Sequence, residues 1–222
     1  MKDFIFISDF DGTLTDEDFY YIVMKKFLGD NGMEIYKDWI NGKMTVFEFL
    51  RKIFGSVNAS EEEIIKSVMD IKFDTYAKGF IDSVKEANGE FMILSAGCSY
   101  YIHKLLEHLN IKNIKVISNN GVYENGKIVM TADKNSTFYS EIYGIDKALV
   151  VEHYKSMYPK VYFAGDSEPD FRASKKADIV FARGHLQKMI RDSGANFVAV
   201  ENFSEIGAYL NEMGVIKYEG GK

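Results

Sequence analysis

Short apolar runs alternate with amphipathic segments along most of the chain. Six runs have the composition of strands buried on both faces, and they cover residues 4–7, 91–94, 114–117, 161–164, 179–181 and 197–200. Segments with helical spacing separate the later runs, at about 100–109, 146–157, 169–177, 184–192 and 203–211. Strands and helices that alternate in this way predict an α/β fold with a doubly wound, mostly parallel sheet.

The interval between the first two predicted strands breaks this alternation. Residues 16–88 contain about four or five amphipathic helical stretches and no convincing strand. Two Asn-Gly turn signals near 116–131 predict a hairpin further along the chain. We therefore predict an α/β core domain formed by residues 1–15 and 89–222, with a small helical cap domain, residues 16–88, inserted after the first strand.

Composition narrows the class of protein. The chain has 222 residues, 46% of them hydrophobic, and a net charge of −6; these values are ordinary for a soluble globular protein. Without a long basic run, we expect neither nucleic acid nor a membrane surface as partner. A single cysteine, Cys98, fits a reducing compartment, and we see neither a signal peptide nor a run near the ~20 residues of a membrane span. We expect a cytoplasmic monomer or homodimer.

The segment after the first predicted strand carries two carboxylates. Asp9 and Asp11 follow the apolar run and precede Gly12, which allows a sharp turn. In α/β folds, ligands bind beyond the carboxyl ends of the strands. Two carboxylates held together repel each other, and a divalent cation or a shared proton relieves that repulsion. Taken alone, the two aspartates could equally form a turn and a helix cap.

Further polar signals fall at the ends of other predicted elements. Ser95 follows the second strand, Lys147 opens the helix before the strand at 161–164, and Asp166 and Asp170 follow that strand. Because the carboxyl ends of these strands face one crevice, we expect Ser95, Asp166 and Asp170 to lie there together with Asp9 and Asp11. Each has an ordinary alternative: Ser95 as a helix cap, Lys147 as a surface lysine, and Asp170 as a charge at a helix start. Lys134 is a rival to Lys147.

Together, these four signals resemble the signature of the haloacid dehalogenase-like phosphatases. The parts are D-x-D-G-T from Asp9, a hydrophobic strand followed by S-x-G from Ser95, a lysine at Lys147, and G-D-S-x-x-D ending at Asp170. The resemblance covers nearly the whole chain. It implies a Rossmann-like sheet with a cap and Mg²⁺-dependent hydrolysis of a phosphomonoester through an aspartyl-phosphate.

The resemblance also implies a role for each motif residue. Asp9 would be the nucleophile, and Asp11 would be the general acid for the leaving oxygen and then the general base for water. Residues expected to bind the substrate's phosphate are Thr13, Ser95, Ala96, Gly97 and Lys147. The expected metal site comprises Asp9, the backbone carbonyl of Asp11, and Asp166, with Asp170 supporting it.

Two branches of the family match different parts of the chain. The cap segment 42–51 resembles the G-K-x-x-F-x-x-x-L-R pattern of phosphoserine phosphatases, but Ile53 stands where they carry an arginine for the substrate's carboxylate. Segments 9–18 and 165–183 resemble the methionine-salvage phosphatases, which act on 2-hydroxy-3-keto-5-methylthiopentenyl-1-phosphate. Departures are an S-A-G in place of S-G-G and the absence of a cysteine-rich stretch before the motif lysine. Among cap residues, we expect Asp16, Asp18, Phe19 and Tyr20 to approach the substrate, and Arg51 with them, although the aromatic rings could equally serve only to pack the cap.

The expected substrate is therefore a small phosphorylated metabolite, either the methionine-salvage compound or a relative of it. One alternative is a phosphoserine phosphatase. Another is a phosphotransferase, which would pass the phosphoryl group from the same aspartate to a second hydroxyl. A third is a phosphate-binding regulator without turnover, which the presence of every catalytic motif disfavours.

Overall fold

The nine strands of the described chain form one large and one small sheet; this computed structural model describes residues 2–220. In chain order, the strands are β1 (Phe4–Ser8), β2 (Gly89–Cys98), β3 (Lys115–Glu124), β4 (Lys127–Thr131), β5 (Tyr139–Ser140), β6 (Gly144–Ile145), β7 (Val161–Gly165), β8 (Ile179–Ala182) and β9 (Val198–Ala199). The large sheet has the order β4-β3-β2-β1-β7-β8-β9, and β5 pairs with β6. All pairs of the large sheet are parallel except β3 with β4.

Strand β1 shows why the sheet is buried on both faces. Side chains alternate along a strand; Phe6 packs in the core on one face, while Ile5 and Ile7 pack in the core on the other. The apolar runs of a parallel sheet are continuous because helices cover both faces. The sequence-based prediction of a doubly wound, mostly parallel sheet is confirmed.

The predicted hairpin is the antiparallel pair β3–β4. Glu124 pairs with Lys127 across a two-residue turn, Asn125-Gly126. Both turn residues have positive φ, 49° and 87°, as a tight hairpin turn of this length requires.

Five helices lie between β1 and β2. They are α1 (Phe19–Val23), which continues into a π-helical turn over Met24–Leu28, α2 (Asp30–Ile40), α3 (Val46–Gly55), α4 (Glu61–Met69) and α5 (Ala77–Glu86). Capping boxes begin two of them: Thr45 with Glu48 at α3, and Ser60 with Glu63 at α4.

Helix α5 packs on the central strands of the sheet, whereas α3 contacts the edge strand β4. Its Phe80 lies 4.8 Å from Phe6 and 5.3 Å from Phe203, ring centroid to centroid. The division into a core domain and a cap at 16–88 stays a prediction. The packing of Phe80 favours assigning α5 to the core.

The remaining helices cover the sheet and carry the site. They are α6 (Ser99–His108), α7 (Lys147–Lys155), α8 (Glu168–Ser174), α9 (Gly184–Asp192) and α10 (Phe203–Glu212). Over residues 2–220, no helix has the length and apolar character to cross a membrane.

Candidate active site

The carboxyl ends of β1, β2 and β7 meet because these strands are neighbours in the sheet. A cavity of about 430 Å³ lies over them. Its sheet side includes Asp9, Asp11, Ser95, Ala96, Gly97 and Lys147, and its cap side includes Asp18, Tyr20, Tyr36, Trp39, Val46, Phe49, Leu50 and Phe54. The structure thus brings the predicted motifs to one crevice.

Lys147 is the central cation of the site. Its Nζ lies 2.7 Å from Oδ1 of Asp9 and 2.7 Å from Oδ1 of Asp170. Asp146 begins α7 by accepting hydrogen bonds from the amides of Ala148 and Leu149, which sets the direction of the lysine beside it. Burial opposes the charge of Lys147, but the carboxylates of Asp170 and Asp9 outweigh burial and raise its pKa, so the lysine stays charged. Its rival, Lys134, is exposed.

Three carboxylates form a group that could hold a metal ion. Single oxygens of Asp9, Asp166 and Asp170 lie within 4.8 Å of one another. Burial and the neighbouring Asp170 raise the pKa of Asp9 well above its usual value and that of Asp166 to about 7. The positive charge of Lys147 therefore compensates only part of the negative charge of the three carboxylates. A set of carboxylate oxygens with excess negative charge suits a hard divalent cation such as Mg²⁺.

Two glycines make room for this group. A Cβ on Gly12, whose φ is +73°, would lie 2.5 Å from Oδ2 of Asp166. A Cβ on Gly165 would lie 2.5 Å from Cγ of Asp170. Any larger residue would displace a carboxylate, so the glycines of both motifs are required by close approach.

Asp170 is held more completely than Asp166. It is fully buried, and its Oδ2 accepts from the amides of Asp166 and Ser167 at 3.1 and 3.2 Å while its Oδ1 contacts Lys147. Asp166 accepts from Oγ1 of Thr13 at 3.3 Å. Thr13 is buried behind Asp166 and does not line the main cavity, so it supports a carboxylate from the side.

Asp11 accepts three hydrogen bonds. Its Oδ1 accepts from the amide of Phe19 at 3.1 Å, and its Oδ2 accepts from Oγ of Ser95 at 3.3 Å and from the hydroxyl of Tyr101. Burial raises the pKa of Asp11, and these donors act against it, Tyr101 most. A raised pKa suits a carboxyl that gives up a proton near neutral pH.

The S-A-G segment is an irregularity inside β2. Leu94 pairs with Ile117 and Cys98 pairs with Asn119, so the pairing between β2 and β3 shifts across Ser95–Gly97. Ser95 accepts from the amide of Gly97 at 2.9 Å. Bulges of this kind re-aim side chains beside active sites.

Two residues that hold this segment in place were not predicted from the sequence. Nδ2 of Asn119 donates to the carbonyls of Ala96 at 2.8 Å and Tyr143 at 2.9 Å, which links the bulge to the segment before α7. Tyr101 is fully buried, and a Cβ on Gly97 would collide with its hydroxyl. No motif marks either residue, because each acts through a neighbour that only the fold supplies.

Of the cap residues predicted to approach the substrate, Asp18 and Arg51 differ in whether they reach the cavity. Asp18 lines the cavity, and burial together with Asp11 and Asp166 raises its pKa to about 8. Arg51 is exposed on α3 and does not line the cavity. Ile53 is fully buried in the apolar core and does not line it either. Leu50 and Phe54, four residues apart on one face of α3, line the cavity instead.

A mostly parallel α/β sheet with a buried lysine and a carboxylate cluster at its strand ends, under a helical cover, is typical of an enzyme active site. The sequence profile of the haloacid dehalogenase-like hydrolases matches residues 6–175. The chain belongs to this family.

Individual relatives agree with this assignment. The chain is 25% identical over 94% of its length to the 2-hydroxy-3-keto-5-methylthiopentenyl-1-phosphate phosphatase of Exiguobacterium sp., of which it covers 98%. It is 24% identical over 98% of its length to the phosphatase of that name from Bacillus pumilus, of which it covers 95%. A substrate-bound phosphoserine phosphatase has a similar fold, with a TM-score of 0.69, 20% identity, and coverage of 94% of this chain and 98% of that one. The prediction of a phosphatase of this family is confirmed.

Proposed function

We propose that the protein is a Mg²⁺-dependent phosphomonoesterase that works through an aspartyl-phosphate on Asp9. The observation that carries this proposal is the position of Asp9, which shares Lys147 with Asp170 at 2.7 Å each and lies within 4.8 Å of Asp166 and Asp170 oxygens. A carboxylate that attacks a phosphate dianion meets charge repulsion, and fixed positive charge offsets it.

The first half of the reaction uses Asp9 and Asp11. Oδ1 of Asp9 is held by Lys147 and by the amide of Phe10 at 2.7 Å, which orients Oδ2 toward the substrate. Asp9 forms a bond to phosphorus as the bond to the leaving oxygen breaks, and Asp11 gives its proton to that oxygen. In the second half, Asp11 takes a proton from water, and water displaces Asp9 from phosphorus.

Asp9, the backbone carbonyl of Asp11, and Asp166 would hold Mg²⁺, with Asp170 supporting them, and the close approach of the Asp9, Asp166 and Asp170 oxygens supports this proposal. The cation, when bound, neutralises phosphate charge as negative charge shifts toward the leaving oxygen. Ser95, Ala96, Gly97 and Lys147 bind the phosphate oxygens from the sheet side, and Thr13 supports Asp166.

We expect Asp166→Ala to weaken Mg²⁺ use more than Asp170→Ala. Both oxygens of Asp170 are already engaged by Lys147 and two amides, whereas Asp166 has only the Thr13 contact. Mg²⁺ titrations of initial rates give the half-saturating concentration for each variant. Asp170→Ala should instead show the larger fall in thermal stability, since it removes the partner of a buried cation. Equal or reversed effects on Mg²⁺ use would contradict the assignment.

We expect Tyr101→Phe to slow hydrolysis of alkyl phosphates more than hydrolysis of p-nitrophenyl phosphate. An alkoxide leaves poorly and needs the proton of Asp11, whereas nitrophenolate leaves without it. Loss of the hydrogen bond that orients Asp11 should lower kcat about tenfold for the alkyl ester. Parallel losses for both esters would indicate that Tyr101 acts on packing alone.

The substrate we propose is a small phosphorylated metabolite, with the methionine-salvage compound of the relatives' name as one candidate. The cavity over the sheet supports a discriminating role for the cap, since its outer wall consists of cap residues. We also propose that the enzyme is cytoplasmic, where a free cysteine stays reduced. Burial raises the pKa of Cys98 to about 12, so the thiol is unreactive and serves to pack the core.

We expect phosphoserine to be a poor substrate. Of the residues that line the main cavity, only Lys147 and His185 are basic, so no arginine is available to pair a carboxylate. A missing charge-assisted contact is worth ~1.5–3 kcal/mol, roughly tenfold to a hundredfold in kcat/KM. A kcat/KM for phosphoserine above that for uncharged alkyl phosphates would favour the phosphoserine phosphatase alternative.

Hydrolysis of p-nitrophenyl phosphate with Mg²⁺ and with EDTA tests the function itself. Mg²⁺-dependent turnover supports the phosphomonoesterase, and its absence would favour a phosphate-binding regulator. Added alcohols distinguish the phosphotransferase, because an acceptor raises nitrophenol release and yields a new phosphate ester.

A further inference from the structure

We propose that the cap side of the cavity binds a cationic amine, so that the leaving group of the substrate is an amino alcohol. This inference rests on the proposed phosphomonoesterase function and names the class of its substrate. Four aromatic rings and one carboxylate carry it: Tyr20, Tyr36, Trp39, Phe49 and Asp18, all of which line the cavity.

The four rings form walls at steep angles. Trp39 and Phe49 stack with centroids 4.3 Å apart and an interplanar angle of 12°. Tyr20 stands at 78° to Trp39, and Tyr36 stands at 69° to it. The rings pack on one another in one stacked pair and in edge-to-face pairs, and all four also line the cavity. Aromatic rings attract ammonium groups through their π faces, and quaternary ammonium ligands are bound in this way.

The charge on the cavity wall distinguishes a cation from a neutral apolar group. Asp18 lines the same cavity, and no ion pair within residues 2–220 includes it. The one lysine in the lining, Lys147, already serves Asp9 and Asp170. A neutral leaving group would cover the rings but would leave the buried carboxyl of Asp18 with the hydrogen bond of Tyr20 and no cation. An ammonium group would cover the rings and would also supply a cation for Asp18.

The same arrangement disfavours anionic leaving groups. Glu168 also lines the cavity and accepts a hydrogen bond from the hydroxyl of Tyr143 at 2.7 Å. A carboxylate on the leaving group would raise the pKa of Asp18 further and would find no cation there, whereas an ammonium group would favour the ionised form of Asp18. The site thus selects an ester whose charge is negative at phosphorus and positive at the far end.

Phosphocholine and its carbon isostere, 3,3-dimethylbutyl phosphate, form the matched pair for the test. They have the same shape and differ in one positive charge. We expect kcat/KM to favour phosphocholine about tenfold or more, as a desolvated cation–π site with a carboxylate would produce. Phosphoethanolamine separates the two sources of such a cation: preference for it over phosphocholine assigns a protonated primary amine.

Variants of the cavity lining test whether the preference for phosphocholine arises at the proposed amine site. Asp18→Asn and Trp39→Leu should each bring the ratio of the two kcat/KM values toward one. Glu34→Gln is the matched control, since it removes a negative charge from the exposed face of the helix that carries Trp39, and it should leave the ratio unchanged.

A binding measurement without turnover accompanies the assay. Trp39 is the only tryptophan of the chain, so its fluorescence reports directly on this part of the cavity. Tetramethylammonium should change the emission saturably in the wild type and far less in Asp18→Asn, and 3,3-dimethylbutanol should have little effect.

The outcomes separate this inference from the proposed function. Hydrolysis of both esters with equal kcat/KM, or a preference for the isostere, overturns the amine site and leaves the phosphatase intact. Saturable binding of tetramethylammonium with no hydrolysis of any ester supports the amine site and overturns the phosphatase. An absence of both overturns both.

Discussion

Replacement of Asp9 by asparagine is expected to abolish phosphate release while the fold remains intact. An amide has nearly the shape of a carboxylate, so it can still accept from the amide of Phe10, but it is a far poorer nucleophile and metal ligand. Turnover should fall at least about 10³-fold. Release of inorganic phosphate under saturating Mg²⁺ measures the loss, and thermal unfolding shows whether the fold survives.

Asp192→Asn is the matched control for this substitution, because Asp192 lies exposed at the end of α9, far along the chain from the motifs. It should keep wild-type turnover. Residual activity of Asp9→Asn above about a tenth of the wild type would rule out Asp9 as the nucleophile.

Replacement of Lys147 by methionine is expected to produce the second large effect, on both rate and stability. The buried ammonium contacts Asp9 and Asp170, and its removal leaves two buried carboxylates without a shared cation. Loss of a positive charge that faces the phosphate should lower kcat/KM about 10²–10³-fold. Removal of one partner from a buried ion pair typically costs about 3–5 kcal/mol of folding free energy.

Urea unfolding with and without Mg²⁺ measures the second part. Bound Mg²⁺ should restore part of the stability lost in Lys147→Met, because a cation would then lie on Asp9 and close to Asp170. The control is Lys134→Met, which removes an exposed lysine and should change neither rate nor stability. A large loss of activity in Lys134→Met would identify Lys134, and not Lys147, as the lysine of the family motif.

Much of this architecture could be predicted from the sequence because it depends on local pattern. The run before Asp9 is apolar at every position, which only a strand covered on both faces tolerates, and β1 has that environment. Parallel strands bring their carboxyl ends to one edge, so the order of motifs along the chain was enough to place Asp9, Ser95 and Asp166 around one crevice.

Features that depend on tertiary packing could not be predicted. Arg51 matched a family pattern and Ile53 departed from it, but in the structure Arg51 is exposed to solvent and Ile53 is buried in the core. Tyr101 and Asn119 belong to no motif, since their hydrogen bonds join segments far apart in the chain. In the sequence, aromatic residues at helical spacing are typical of the apolar core. Only the structure shows that these residues also line the cavity that contains Asp18.

The most direct test of the account is chemical trapping of the intermediate on Asp9. Rapid acid quench during turnover of p-nitrophenyl phosphate, followed by borohydride, reduces an acyl phosphate to the alcohol and converts the aspartate that carried it to homoserine. Peptide mass spectrometry then locates the change. We expect homoserine at position 9 in the wild type and unmodified Asp11, Asp166 and Asp170. Homoserine at another aspartate, or none during active turnover, would contradict it.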